Sequence, residues 1–117
     1  MWEDQVMPTF IAQGCWTKDA VQGMTSNPED RFGPVAELFE SLGGRLLHWF
    51  MTTGEHDWLI IAEAPSHDVM MAAAAASLAG GGTSDIKTCA AFTAPEAKAI
   101  FENAGRVATA FKSPGLR

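Results

Sequence analysis

The sequence predicts an α+β domain built on a four-stranded antiparallel sheet, and two observations support this fold class. The segment Gly54–Asp57 lies between two apolar runs, residues 46–51 and 58–62, as the turn of a β-hairpin does. Around this hairpin the predicted elements follow the order strand, helix, strand, strand, helix, strand and terminal helix.

Length and composition fit a single domain over residues 1–117, with a core at about residues 7–105. Hydrophobic residues make up 47% and charged residues 19%, which suits a packed interior and not a disordered chain. The net charge of -6 and the scattered cations argue against nucleic-acid binding. Cys15 and Cys89 form no close pair, and no signal peptide or membrane-length apolar run is present, so we expect a cytoplasmic protein without membrane contact.

The N-terminal part is predicted to hold the first strand and a short helix. Residues 1–6 are expected to be an extension before a strand that begins at Met7 and continues to Trp16. Thr17 suits the N-cap of a helix that Gly23 and the following polar residues interrupt early.

The main helix of the first half is predicted to start at the Asn27–Asp30 motif, which offers a capping side chain, a proline and two acids. An apolar stripe follows at helical spacing, and Gly43 suits the C-terminal cap. Its members are Val35, Leu38, Phe39 and Leu42. Pro34 lies inside this predicted helix, so a kink is expected there.

The second half is predicted to continue with a helix, a strand and a last helix. Ser66 suits an N-cap, and the glycines at 80–82 end the alanine-rich helix that follows. A fourth strand is predicted over 85–92, and Thr93 starts a capping box for a helix to about Gly105, with a tail over 106–117. The whole order is ferredoxin-like βαββαβ with an extra C-terminal helix.

The predicted hairpin is apolar on both faces of the sheet, while the helices are expected to cover only one. One side would carry Trp49, Met51, Trp58 and Ile60, and the other Leu46, Phe50, Leu59 and Ile61. An antiparallel sheet that is apolar on both sides needs a second cover. We therefore expect a homodimer or a higher homo-oligomer with sheets packed face to face.

The chain also resembles the GYD-domain family, named after a Gly-Tyr-Asp motif in the hairpin, which here reads Gly54-Glu55-His56-Asp57. The resemblance extends from about Pro8 to Phe101. It includes the segments 8–10, 27–31, 43–44, 63–65 and 86–88. It implies a fold of the dimeric α+β barrel type and agrees with the expected self-association, but it implies no particular reaction. His56 replaces the usual tyrosine, so no role of a tyrosine hydroxyl is carried over.

One acid-base pair can be constructed from the predicted hairpin. If Gly54 and Asp57 flank the turn as partners, His48 lies opposite Glu63 on one face. A carboxylate beside an imidazole suits a general base, so these two are the candidate catalytic residues; a structural ion pair is the alternative.

The candidate ligand-binding residues are Trp49, His56, Asp57 and Trp58. Asp57 also suits a purely structural role in the turn, and His56 would reach a ligand only if the loop borders a cleft. The histidines and cysteines show no metal-binding spacing, so neither a metal nor a cofactor is expected. Haem is considered only because barrels of the resembling type include haem proteins and His48 lies among aromatic residues.

Three functions are compatible with these observations. The first is a homo-oligomeric small-molecule-binding or interaction module that takes a small apolar ligand. The alternative is a cofactor-independent oxygenase or isomerase of the dimeric α+β barrel type that uses His48 and Glu63. A pure assembly role is a third reading.

Overall fold

The computed structural model describes residues 7–115, and within them it has the predicted α+β architecture. Its elements are β1 (Thr9–Trp16), α1 (Lys18–Ser26), α2 (Phe32–Ser41), β2 (Arg45–Met51), β3 (Trp58–Glu63), α3 (His67–Ala79), β4 (Thr83–Ala91) and α4 (Ala94–Ala108). The four strands form one antiparallel sheet in the order β2-β3-β1-β4. The ferredoxin-like fold is therefore confirmed, while the predicted extension over 1–6 lies outside the described residues.

The prediction that the main helix starts at Asn27 is wrong. Helix α1 continues to Ser26, and Asn27 is its C-cap, donating its backbone N–H to the Gly23 carbonyl at 2.9 Å. The residue before a proline avoids helical geometry, so Asn27 ends one helix and does not begin the next. Helix α2 begins at Phe32 instead, where the Asp30 carboxylate accepts the Phe32 N–H at 2.9 Å.

The kink expected at Pro34 assumed a proline in the helix interior, and the later start of α2 removes that premise. Pro34 lies in the first turn of α2, where backbone N–H groups have no partner within the helix. Its missing donor therefore costs nothing. The helix ends as predicted, with Gly43 at a φ of 85° after the last turn.

A β-bulge in β2 changes the face on which one predicted residue lies. Met51 pairs with Trp58 and His48 with Ile61, but the register shifts between Leu46 and His48, so that Leu46 pairs with Ala62. A one-residue shift reverses the side-chain direction, so Leu46 lies on the buried face. The prediction that Leu46 shares a face with Phe50 is therefore wrong.

The two faces of the sheet are defined by the strand registers. The covered face packs against α1–α3 and contains the buried core residues of the strands, namely Phe10, Ala12, Leu46, Trp58, Ile60 and Ala62. The open face carries the alternate side chains, among them Ile11, His48, Phe50, Leu59, Ile61 and Glu63. Phe39 of α2 and Met70 of α3, each 2% exposed, complete the core from the helix side.

Helix α4 is an exception to the prediction that all helices cover one face. Its capping box is confirmed, because Thr93 and Glu96 each bond the other's backbone N–H, and the helix runs three residues past the predicted end. Yet α4 contains no buried residue, and Ile100, Phe101 and Val107 are exposed. None of the helices within residues 7–115 has both the length and the hydrophobicity that a membrane span requires.

Candidate functional site

A cleft of about 360 Å³ lies between the covered face of the sheet and the helices. The strands contribute Trp16, Trp49, Trp58 and Ile60 to its floor, and α2 and α3 contribute apolar walls. The volume is within the range of pockets that bind small molecules. Its apolar, tryptophan-rich lining makes this cleft the candidate ligand site.

Three tryptophans give the cleft its aromatic character. Trp16 at the end of β1 and Trp49 of β2 lie with ring centroids 6.4 Å apart and planes 24° from parallel. Trp58 of β3 is 9% exposed and lies on the same face, because it pairs with Met51 on one side and Gly14 on the other. The candidate residues Trp49 and Trp58 thus line a cleft together, although their role in binding stays a prediction.

The position of the Trp58 side chain is fixed by a hydrogen bond of its indole and by the glycine beneath its ring. Its indole N–H donates to the Thr83 hydroxyl at 3.2 Å, and this hydroxyl donates to the Cys15 carbonyl at 3.0 Å. The indole ring also lies over Gly14, where an added Cβ would be 2.3 Å from a ring carbon. Glycine at position 14 therefore makes room for the indole beside the cleft.

The alanine-rich helix α3 leaves the cleft open. Ala73, Ala74 and Ala76 face the cleft, and their methyl groups occupy little of the space between helix and sheet. Small side chains allow a helix to pack closely on a sheet, but here they line an unfilled space. The run of alanines is visible in the sequence, but the distance between α3 and the sheet is not.

Polar groups on the cleft wall are few. They are Arg31, Ser77, Thr83 and Thr88. Among the described residues that line the cleft, Arg31 is the only charged one. Sequence reasoning missed Arg31 and Trp16, because their placement depends on where α2 starts and how β1 ends.

The hairpin loop does not line the cleft but fastens to the end of β1. The Asp57 carboxylate accepts the Trp16 N–H at 2.9 Å, and the Asp57 N–H donates to the Gly14 carbonyl at 2.8 Å. Gly54 has a φ of 106°, which favours glycine. These contacts support the structural reading of Asp57, while a ligand role stays a prediction.

His56 belongs to the same loop and is buried, at 8% exposure. Its Nε2 atom has no hydrogen-bond partner and lies 3.9 Å from both the Glu55 and the Asp85 carboxylates. The Lys87 ammonium bonds the Asp85 carboxylate at 2.7 Å, and this contact holds the pKa of Asp85 below its usual range. His56 is thus placed among charges but outside the cleft.

The register predicted for the candidate catalytic pair is wrong. His48 pairs with Ile61 and stacks on Phe50 with ring centroids 5.8 Å apart, whereas Glu63 pairs with Arg45. The Glu63 carboxylate lies 3.7 Å from the Arg45 guanidinium. The loop between the strands is two residues longer than the prediction assumed, so His48 and Glu63 lie diagonally on the open face. They do not line the cleft, and a catalytic role for them stays a prediction.

Within residues 7–115 the structure has no group of three or more histidine, cysteine or acidic side chains placed to hold a metal ion. Cys15 and Cys89 lie on the neighbouring strands β1 and β4, and both are free thiols. Cys89 pairs with Ile11, four positions along β1 from Cys15.

The comparison with protein families agrees with this geometry. The GYD domain family model matches residues 10–101, from the first core residue of β1 into α4. The chain belongs to the GYD-domain family. No match was found among curated proteins or among solved structures. In this GYD-domain chain the motif residues Gly54 and Asp57 shape the hairpin loop and hold it to β1, and the three tryptophans lie beside that attachment.

Proposed function

We propose that this GYD-domain protein is a small-molecule-binding module that takes an apolar ligand in the cleft between the sheet and the helices. The observation that supports this most is the cleft itself, about 360 Å³ in volume and lined by Trp16, Trp49 and Trp58. Aromatic walls with a few fixed polar groups are typical of ligand sites. The apolar side chains that line this space lack packing partners on the cleft side, and an apolar ligand would supply them.

The same proposal includes self-association through the open face and α4. Phe50 on the open face is 50% exposed, and Phe101 of α4 is 75% exposed. Large exposed apolar surfaces mark interfaces, and a second copy carrying the same surfaces is the simplest cover.

The alternative enzymatic function receives no support from the cleft. His48 and Glu63 lie on the other side of the sheet and are not cross-strand partners. A reaction that uses them would have to take place between copies of the chain. We therefore place ligand binding ahead of catalysis.

The test of ligand binding compares two neighbouring alanines of α3. Ala74 is half-buried and lines the cleft, whereas Ala75 is exposed and does not line it. Ala74→Phe should fill the cleft and weaken binding of naphthamide, a neutral aromatic probe, by about tenfold or more, because it removes the space for the ring. Ala75→Phe should leave the affinity unchanged.

Isothermal titration calorimetry gives the affinity, and the Trp58 indole N–H resonance reports where the probe binds. Equal weakening by both substitutions would contradict the cleft as the binding site. So would a native protein that does not bind the probe at all.

A further inference from the structure

The charge on the cleft wall indicates which class of ligand fits. Arg31 is the only charged residue among the described ones that line the cleft, and the remaining lining is apolar or neutral. It is the N-cap residue of α2, so the start of this helix positions its backbone. A lone cation at the edge of an aromatic cleft provides a counter-charge for an anionic group.

The ion pair that the Arg31 guanidinium forms within the protein is weak. The Arg31 guanidinium forms an ion pair with Glu29, two residues earlier in the loop between α1 and α2. The two side chains are 39% and 49% exposed, so water screens the attraction between them. A guanidinium has five N–H donors and can bind a carboxylate through two parallel hydrogen bonds, so a ligand could replace Glu29.

We infer that the ligand is an organic acid, with an apolar body between the tryptophans and an anionic head group on Arg31. This inference rests on the proposed function, because it assumes that the cleft binds a small molecule. Arg31 is then the residue that selects anionic over neutral ligands. Glu29 competes with the ligand head group for the same guanidinium.

The experiment compares naphthoate with naphthamide, which has the same ring and nearly the same shape but no charge. On the native protein naphthoate should bind about tenfold more tightly, since a charge-assisted bidentate contact is stronger than a neutral one. In Arg31→Gln this ratio should fall to about one, with naphthamide affinity unchanged. Octanoate, measured in parallel, separates an aromatic acid from an aliphatic one.

Two further variants sharpen the test. Glu29→Gln should raise naphthoate affinity and leave naphthamide affinity unchanged, because it removes the competing carboxylate. Arg45→Gln is the matched control: it removes an exposed cation whose partner, Glu63, lies on the open face. It should leave the ratio as it is in the native protein.

The outcomes separate this inference from the proposal on which it rests. If both probes bind the native protein equally well and Ala74→Phe weakens both, the cleft is a ligand site and the role of Arg31 is refuted. If neither probe binds, both proposals fail. If Arg45→Gln lowers the ratio as much as Arg31→Gln does, the preference reflects overall charge and the assignment to Arg31 is wrong.

Discussion

The two faces of the same sheet differ in what covers them. On the covered face Phe10, Ile60 and Ala62 are almost completely buried beneath α1–α3. On the open face Phe50 is exposed, and Leu59 and Ile61 are only half-buried. Both faces are apolar in sequence, so the sequence alone does not tell which one the helices choose.

The helices and the cleft lie on the same face of the sheet, the covered face. The helices bury the covered face incompletely, because the small side chains of α3 leave a cleft over the tryptophans. Among the described residues, those that line the cleft include no side chain of the open face. Ligand binding and self-association can thus be tested separately by substitutions on opposite faces.

The largest effect is expected from two phenylalanines on opposite sides. Phe39→Ala should lower the free energy of unfolding by about 3–5 kcal/mol, because it removes a fully buried ring from the core. Phe50→Ala removes a half-exposed ring and should cost well under about 1 kcal/mol at low protein concentration. If a second copy covers the open face, the cost of Phe50→Ala should grow with protein concentration.

Chemical denaturation at two protein concentrations, with sedimentation velocity on the same samples, measures both effects. Phe39→Leu serves as a milder variant if Phe39→Ala does not fold. A cost of Phe50→Ala that is independent of concentration, together with a monomeric native protein, would refute self-association through the open face.

A smaller effect is expected from two glycines. Gly14→Ala should lower the free energy of unfolding by about 1–3 kcal/mol, because the new methyl group would overlap the Trp58 ring on the covered face. Gly23→Ala, in the exposed part of α1 with nothing within 4 Å, should instead raise it by about 0.4–1 kcal/mol.

Thermal unfolding of the two variants gives opposite signs if the contact is as described. The Trp58 indole N–H resonance should move in Gly14→Ala and stay in place in Gly23→Ala. A Gly14→Ala protein as stable as the native one would mean that the indole does not lie on this glycine.

Local signals in the sequence predicted most of the fold. The turn at Gly54, the caps at Thr17 and Thr93 and the helix end at Gly43 each depend on a few adjacent residues, and all are confirmed. The failures depend on longer contacts. Asn27 is the C-cap of α1, but an asparagine also suits an N-cap. Only the continuation of α1 to Ser26 decides between the two positions.

The candidate site was less accessible to prediction for the same reason. The pairing of His48 with Glu63 assumed a short turn, and a longer loop together with the bulge after Leu46 changed the register. Trp49 and Trp58 were named from their residue type, and the alternation of side chains placed them correctly on one face. Arg31 could not have been named, because its position follows from the start of α2 at Phe32.

The smallest effect concerns the charges beside the open face. Asp85 has a φ of 51°, and the hydrogen bond and charge of Lys87 lower the pKa of Asp85 below its usual range. A lowered folded-state pKa means that the contact stabilises the fold above the usual aspartate pKa and is lost as the pH falls through the folded-state value. Asparagine tolerates the positive φ at position 85, so Asp85→Asn removes only the charge. This variant should be slightly less stable than the native protein near neutral pH and equally stable in strong acid.

Titration of the Asp85 carboxyl by NMR measures this contact directly and also probes the open face. In Lys87→Met the pKa of Asp85 should return toward its usual value; an unchanged pKa would contradict the contact. Lys87 pairs with Gln13 and so lies on the open face. If the open face is in contact with water, about 1 M salt should remove most of the pKa shift of Asp85. If a second copy covers this face, the pKa shift should persist at high salt.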